Sequence, residues 1–136
     1  KKNLEKNNLK IPPNVISLKP LGFFDYVKLE KNSKCVLSDS GSITEEASIL
    51  NFKALNLREM HERPEGFEEC PVMFTGLKIN KIKECLKQLE VDFIDNENII
   101  RIVTDYDVDN FSKKVVRIIL SYVDFINNNV WKKNSI

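Results

Sequence analysis

Cysteine and histidine are scarce in this chain, and each shortage closes off a class of function. The three cysteines, Cys35, Cys70 and Cys85, are odd in number and lack CxxC spacing, so neither a zinc site nor a redox pair is expected. They read as reduced, partly buried thiols of a cytoplasmic protein. The only histidine, His61, cannot build a multi-histidine metal centre, and neither a metal nor a cofactor is expected. Long hydrophobic runs are missing too. Without about 18 consecutive apolar residues or a charged-then-apolar leader, the chain reads as soluble and unexported, with no membrane partner. Nor does one sign of charge dominate: 21 basic residues against 20 acidic leave a formal +1, which gives no general electrostatic reason to bind nucleic acid. The Asn/Lys-rich opening over residues 1–10 is locally basic and reads as a solvated lead-in.

What is present fits one domain. A chain of 136 residues with 42% apolar content can bury a single core. Its Lys-Lys opening, in place of Met, reads as a piece of something longer or a processed chain. Short apolar runs alternate with helical periods. Strands are expected at residues 15–18, 34–37, 54–57 and 72–75. Helices are expected at about 23–32, with Phe23, Tyr26 and Val27 on one side, at about 42–51, and at about 78–89, with Ile79, Ile82, Leu86 and Leu89 inward. This alternation predicts an α/β fold with a parallel sheet and helices packed on it. Ligands in such folds sit at the carboxyl ends of strands, which singles out residues 38–41 and 58–66. From 109 to 132 the spacing of Phe111, Val115, Ile118, Ile119, Tyr122, Phe125, Ile126 and Val130 predicts one long helix of about 30 Å, with Asp109 or Asn110 as its cap. Its wide apolar stripe either closes its own domain or packs against a domain absent from this chain.

The stretch SDSGSITEE at residues 38–46 joins a strand to a helix. Gly41 permits the tight turn, and Ser42 and Glu45 have the S-x-x-E spacing of a capping box. Free amides at the start of that helix, backed by its dipole, suit a phosphate or diphosphate, and Ser40 can add a hydroxyl. Glu46 falls beside the inward face formed by Ile43, Ala47 and Leu50, while Glu45 points elsewhere. A carboxylate so placed needs partners, because an unpaired buried charge costs several kcal/mol. Ribose hydroxyls would serve; so would a salt bridge to Arg58 or Arg63.

A second constellation, REMHERPEG at residues 58–66, is a polar loop rich in carboxylates. Arg63 stands between Glu62 and the rigid Pro64, an arrangement able to aim a guanidinium at phosphate oxygens. His61 can exchange protons near neutral pH, or it is an ordinary surface histidine.

These two motifs, in this order and about 20 residues apart, resemble the C-terminal half of the non-hydrolysing UDP-N-acetylglucosamine 2-epimerases, which carry D-S-G-G-x-x-E-E followed by E-R-P-E. The likeness runs from LKP at 18–20 through Gly76 into the terminal helix. HERPEG at 61–66, with KVVRIILSY at 114–122 and VWK at 130–132, looks closer still to the capsule and O-antigen branch. That branch makes UDP-N-acetyl-L-fucosamine by inverting C2 of a 6-deoxy sugar nucleotide.

The resemblance implies a two-domain GT-B fold in which residues 1–136 form the nucleotide-binding lobe, Rossmann-like with helices on both faces, and the N-terminal lobe is absent. Family roles would place Ser40, Gly41 and Ser42 at the diphosphate, Glu46 at the ribose, Tyr26 beside the uracil, and Glu62 and Arg63 in the catalytic cleft. Leu21 stands where relatives often carry glutamine near the base, so its backbone would make any contact. Ser42 replaces the motif's second glycine, and Lys53 stands where many relatives have proline. The reaction so implied eliminates UDP to leave a glycal-like intermediate and returns it with C2 inverted, in polysaccharide precursor synthesis in the cytoplasm. Its acid and base belong largely to the N-terminal lobe, so this chain alone is expected to bind UDP weakly and turn nothing over. A homodimer is expected at full length. Two other readings stand beside it: the donor-binding lobe of a GT-B glycosyltransferase, and a non-catalytic nucleotide-sugar-binding module.

Overall fold

A computed structural model describes Leu4 and residues 6–60, 63–66, 68–94 and 100–133. His61 and Glu62 lie outside the described residues. The chain divides into two compact units, Lys1–Ser33 and Lys34–Ile136.

The first unit contains helix α1 (Phe23–Asn32). Pro20 disfavours a helical conformation at the residue before it, and Gly22 is extended at the point where the helix begins. The Gly22 carbonyl accepts the Tyr26 amide at 3.0 Å, which closes the first turn. Residues 15–18 form no strand, contrary to the pattern. The Val15 amide donates to the Pro12 carbonyl at 3.0 Å in a turn, and Ile16 is 81% exposed. Alternating apolar residues become a strand only when a neighbour completes the ladder, and no such neighbour lies among the described residues.

The second unit is built on three short parallel strands in the order β1 (Val36–Ser38), β2 (Ala54–Asn56), β3 (Val72–Phe74). Val36 aligns with Ala54, and Ala54 with Val72. Helix α2 (Ile43–Leu50) connects β1 to β2, and α3 (Ile79–Asp92) follows β3, running three residues past the expected end. Because side chains alternate along a strand, the sheet has two apolar faces. Val36, Ala54, Val72 and Phe74 pack with Ile43, Ala47, Phe52 and Val103; Cys35, Leu55 and Met73 pack with Ile82, Cys85, Leu86 and Leu89. The helices α2 and α3 therefore cover opposite faces, and the architecture is Rossmann-like α/β. Ile43, Leu55 and Leu89 are fully buried, each stabilising the fold by about 2–3 kcal/mol. Ile79 is 67% exposed, so α3 meets the sheet only from Ile82 onward.

Helix α4 (Phe111–Phe125) continues into a π-helical turn (Ile126–Val130). Asn110 precedes it but makes no side-chain cap bond. No residue of α4 is buried, and Leu120 on it is 72% exposed. The stripe therefore does not close the core of this unit.

Candidate functional site

The loop leaving β1 is organised by hydroxyls. The Ser40 amide donates to Ser38 Oγ at 3.1 Å, a local turn that Ser favours, and Ser40 Oγ lies 2.9 Å from Ser42 Oγ. The expected capping box does not form. Ser42 is the N-cap residue of α2 but makes no side-chain cap bond, because its hydroxyl is engaged with Ser40 while Glu45 is engaged elsewhere. The Glu46 amide donates to the Ser42 carbonyl at 2.9 Å, and the Thr44 amide reaches the Gly41 carbonyl only at 3.5 Å. Among the described residues no acceptor engages the amides of Gly41, Ser42 and Ile43. Ser42 is exposed and Gly41 half-buried, so their N–H groups are reachable, whereas Ile43 is fully buried. Hydrogen-bond donors without partners, at the positive end of a helix dipole, are the elements of an anion site.

The loop after β2 docks onto the same helix turn. Arg63 Nε donates to Glu45 Oε1 at 2.6 Å. Glu45, expected to point elsewhere than the inward face, is half-buried, with Oε2 sealed from solvent and without a hydrogen bond among the described residues. Glu46 is half-buried and makes no ion pair among the described residues. The salt bridge weighed for Glu46 thus belongs to its neighbour. The short 3₁₀ turn at Pro64–Gly66 brings Gly66 against α2 so closely that a Cβ there would clash with Thr44 Cγ2. Cys70 Sγ donates to the Thr44 carbonyl at 3.2 Å, and the Cys70 amide to the Gly66 carbonyl at 3.2 Å. Burial pushes the Cys70 thiol up to about 12. Tyr106 completes the wall: its hydroxyl donates to Glu65 Oε1 at 2.7 Å, and burial, reinforced by that carboxylate, raises its phenol well above the ordinary range.

The pattern missed one residue that joins the two loops. Asn56, at the end of β2, is buried, with Nδ2 donating to the Ser40 carbonyl at 3.3 Å and Oδ1 accepting from the Arg58 amide at 3.0 Å. A polar residue at the carboxyl end of an otherwise apolar run was the available signal. Leu21 and Tyr26 belong to the first unit and are both exposed there, Leu21 beside Asp25, Lys28 and Leu29 around a shallow cavity of about 290 Å³. A larger cavity of about 500 Å³ flanks the Arg63 loop, but Glu65, Glu68, Glu69 and Asp105 line it, and that charge repels a diphosphate. Among the described residues there is no cluster of three or more side chains able to hold a metal, and no helix is long and apolar enough to cross a membrane.

Residues 1–120 match the protein family described as UDP-N-acetylglucosamine 2-epimerase. The UDP-N-acetylglucosamine 2-epimerase of Methanococcus maripaludis is 34% identical over 86 residues, 63% of this chain and 22% of that protein. The enzyme of that name from Neisseria meningitidis serogroup A is 34% identical over 108 residues, 79% of this chain and 29% of that protein. A solved UDP-N-acetylglucosamine 2-epimerase from Rickettsia bellii superposes with a TM-score of 0.67 and 46% identity, over 84% of this chain and 31% of that one. The chain thus spans less than a third of the length of each of these relatives.

Proposed function

The chain belongs to the UDP-N-acetylglucosamine 2-epimerase family, and from that premise we propose that it is the UDP-binding lobe of an enzyme that inverts C2 of a UDP-N-acetyl-hexosamine. One observation carries the reading. Among the described residues no acceptor engages the reachable amides of Gly41 and Ser42 at the start of α2, and the Arg63 guanidinium is tied to that same turn through Glu45.

The chemistry needs such a site. The C2 proton leaves, the bond from C1 to the diphosphate oxygen breaks with its electron pair on UDP, and a C1–C2 double bond forms. UDP then returns to C1 while a proton reaches the opposite face of C2. Main-chain donors at a helix terminus hold the diphosphate charge that develops and is withdrawn again, and they need no reorganisation to do so. In this reading Ser40 adds a hydroxyl to the diphosphate, Glu46 takes the ribose, Tyr26 and the backbone of Leu21 recognise the base, and Glu62 and Arg63 serve the reacting centre. Ser42 in place of glycine keeps its amide for phosphate. The acid and base that handle the C2 proton come from an N-terminal lobe of the same protein, which also covers the apolar stripe of α4. The finer assignment is a 6-deoxy sugar nucleotide, in capsule or O-antigen precursor synthesis, handled in the cytoplasm by a homodimer.

The test follows exchange of the C2 proton with solvent deuterium in the full-length gene product, offered UDP-N-acetylglucosamine and its 6-deoxy counterpart. Exchange with inversion is expected, and Arg63→Ala should lower kcat by about 100-fold or more. Sugar transfer without C2 exchange would favour the glycosyltransferase reading instead. A melting temperature unmoved by millimolar UDP would remove the nucleotide site altogether, since a ligand of the native state must stabilise it.

A further inference from the structure

Asn56 is 2% exposed and ends a central strand whose other residues, Ala54 and Leu55, are apolar and fully buried. A primary amide in such a place is stable only when its polar atoms find partners. Here Nδ2 donates to the Ser40 carbonyl at 3.3 Å and Oδ1 accepts from the Arg58 amide at 3.0 Å. The Asn56 main-chain carbonyl accepts the Thr75 amide at 3.0 Å and Thr75 Oγ1 at 3.4 Å. The loops leaving all three strands therefore converge on this residue.

We infer that Asn56 is the positioning residue of the anion site: by holding the Ser40 carbonyl inward, it turns the Gly41 N–H outward toward a diphosphate. The step follows from peptide geometry. In a planar trans peptide the carbonyl of one residue and the N–H of the next point in opposite directions, and no cis peptide occurs among the described residues. Fixing the oxygen of Ser40 therefore fixes the hydrogen of Gly41. The Ser40 amide on the other side is committed to Ser38 Oγ, so the turn is held on both flanks and Gly41 supplies its first available donor. Through Arg58 the same side chain sets where the second loop begins, five residues before Arg63. This inference rests on the nucleotide reading above.

The experiment compares Asn56→Asp and Asn56→Leu with the parent in the full-length gene product, using UDP, inorganic pyrophosphate and uridine as probes. The Asp variant keeps an acceptor for Arg58 but loses the donor to Ser40; the Leu variant loses both. Each should weaken UDP and pyrophosphate by about tenfold or more, where tenfold is about 1.4 kcal/mol. Uridine, which has no phosphate, should bind within about twofold of the parent, an outcome that general damage to the lobe would not give. Equal losses for UDP and uridine, or folded variants that bind UDP as the parent does, overturn the inference and leave the nucleotide reading standing. A parent that binds no UDP overturns both. Should neither variant fold, selective ¹⁵N-glycine labelling of the parent decides, with the Gly41 resonance identified by Gly41→Ala: it must shift when pyrophosphate is added, and a stationary resonance overturns the proposal.

Discussion

Helices α2 and α4 are both amphipathic, yet they stand in opposite situations. The shorter one, Ile43–Leu50, buries Ile43, Thr44, Ala47 and Ser48. The longer one, Phe111–Phe125, buries nothing. Eight residues are too few for a stable helix in water, so α2 exists because its surroundings hold it. The sheet covers Ile43 and Ala47 on one side. On the other side Gly66 presses on Thr44, Cys70 Sγ donates to the Thr44 carbonyl, and the Val103 amide donates to Ser48 Oγ at 2.9 Å. A helix gripped from two sides presents its first amides in a fixed direction, which is the property an anion site needs. For α4 the apolar stripe says which face is suited to burial, and among the described residues nothing buries it.

The comparison breaks most visibly at Ile43. Ile43→Ala removes a fully buried side chain between α2 and the sheet and should cost about 2–5 kcal/mol in urea unfolding. Next comes Gly66→Ala, whose new methyl must displace the buried Thr44 side chain. Overpacking of this kind costs about 1–3 kcal/mol, and because the same contact seats the Arg63 loop, UDP affinity should fall with stability. Leu120→Ala on α4 should change the stability of the 136-residue chain by no more than about 0.5 kcal/mol. If the proposed N-terminal lobe covers the stripe, the same change in the full-length protein should cost about 2–5 kcal/mol. Equal effects of the Ile43 and Leu120 substitutions in the short chain would show that the two helices do not differ as described.

Much of this arrangement was legible in the sequence, for reasons particular residues make plain. Gly41 and Ser42 marked the start of α2, and Pro71 and Gly76 bracketed β3, because turn chemistry is local. The parallel sheet with helices packed on it followed from short apolar runs alternating with helical periods, and helices on both faces from the family resemblance. What stayed hidden was competition between partners. The spacing of Ser42 and Glu45 shows that a capping box is possible, but Ser40 and Arg63 take both side chains first. Glu45 and Glu46 are adjacent, and only the fold of the second loop decides which of them meets Arg63. Residues 15–18 have the pattern of a strand without the neighbour that would make them one. Asn56 lay inside the expected strand at 54–57 and was not singled out, whereas its two hydrogen bonds span residues 40 to 58.

An effect confined to alkaline pH concerns Cys70, which reports how tightly the α2 side is sealed. Its thiol is pushed up to about 12 by burial, only partly opposed by a backbone hydrogen bond from Val72. In the unfolded chain the same thiol ionises in the ordinary cysteine range, so above that range the unfolded state sheds a proton that the native state keeps. Stability from this group is therefore intact below the ordinary thiol value and is lost progressively as pH rises toward 12. The melting temperature of the parent should fall more steeply above about pH 9 than that of Cys70→Ala, with the two profiles parallel below it. Parallel profiles throughout would mean that the thiol titrates alike in both states and that the contact with Thr44 does not exclude water. Gly66→Ala sharpens the point further. By wedging the second loop off α2 it should speed native-state alkylation of Cys70 at pH 8, whereas Leu120→Ala, on a helix that shields nothing in this unit, should leave that rate unchanged.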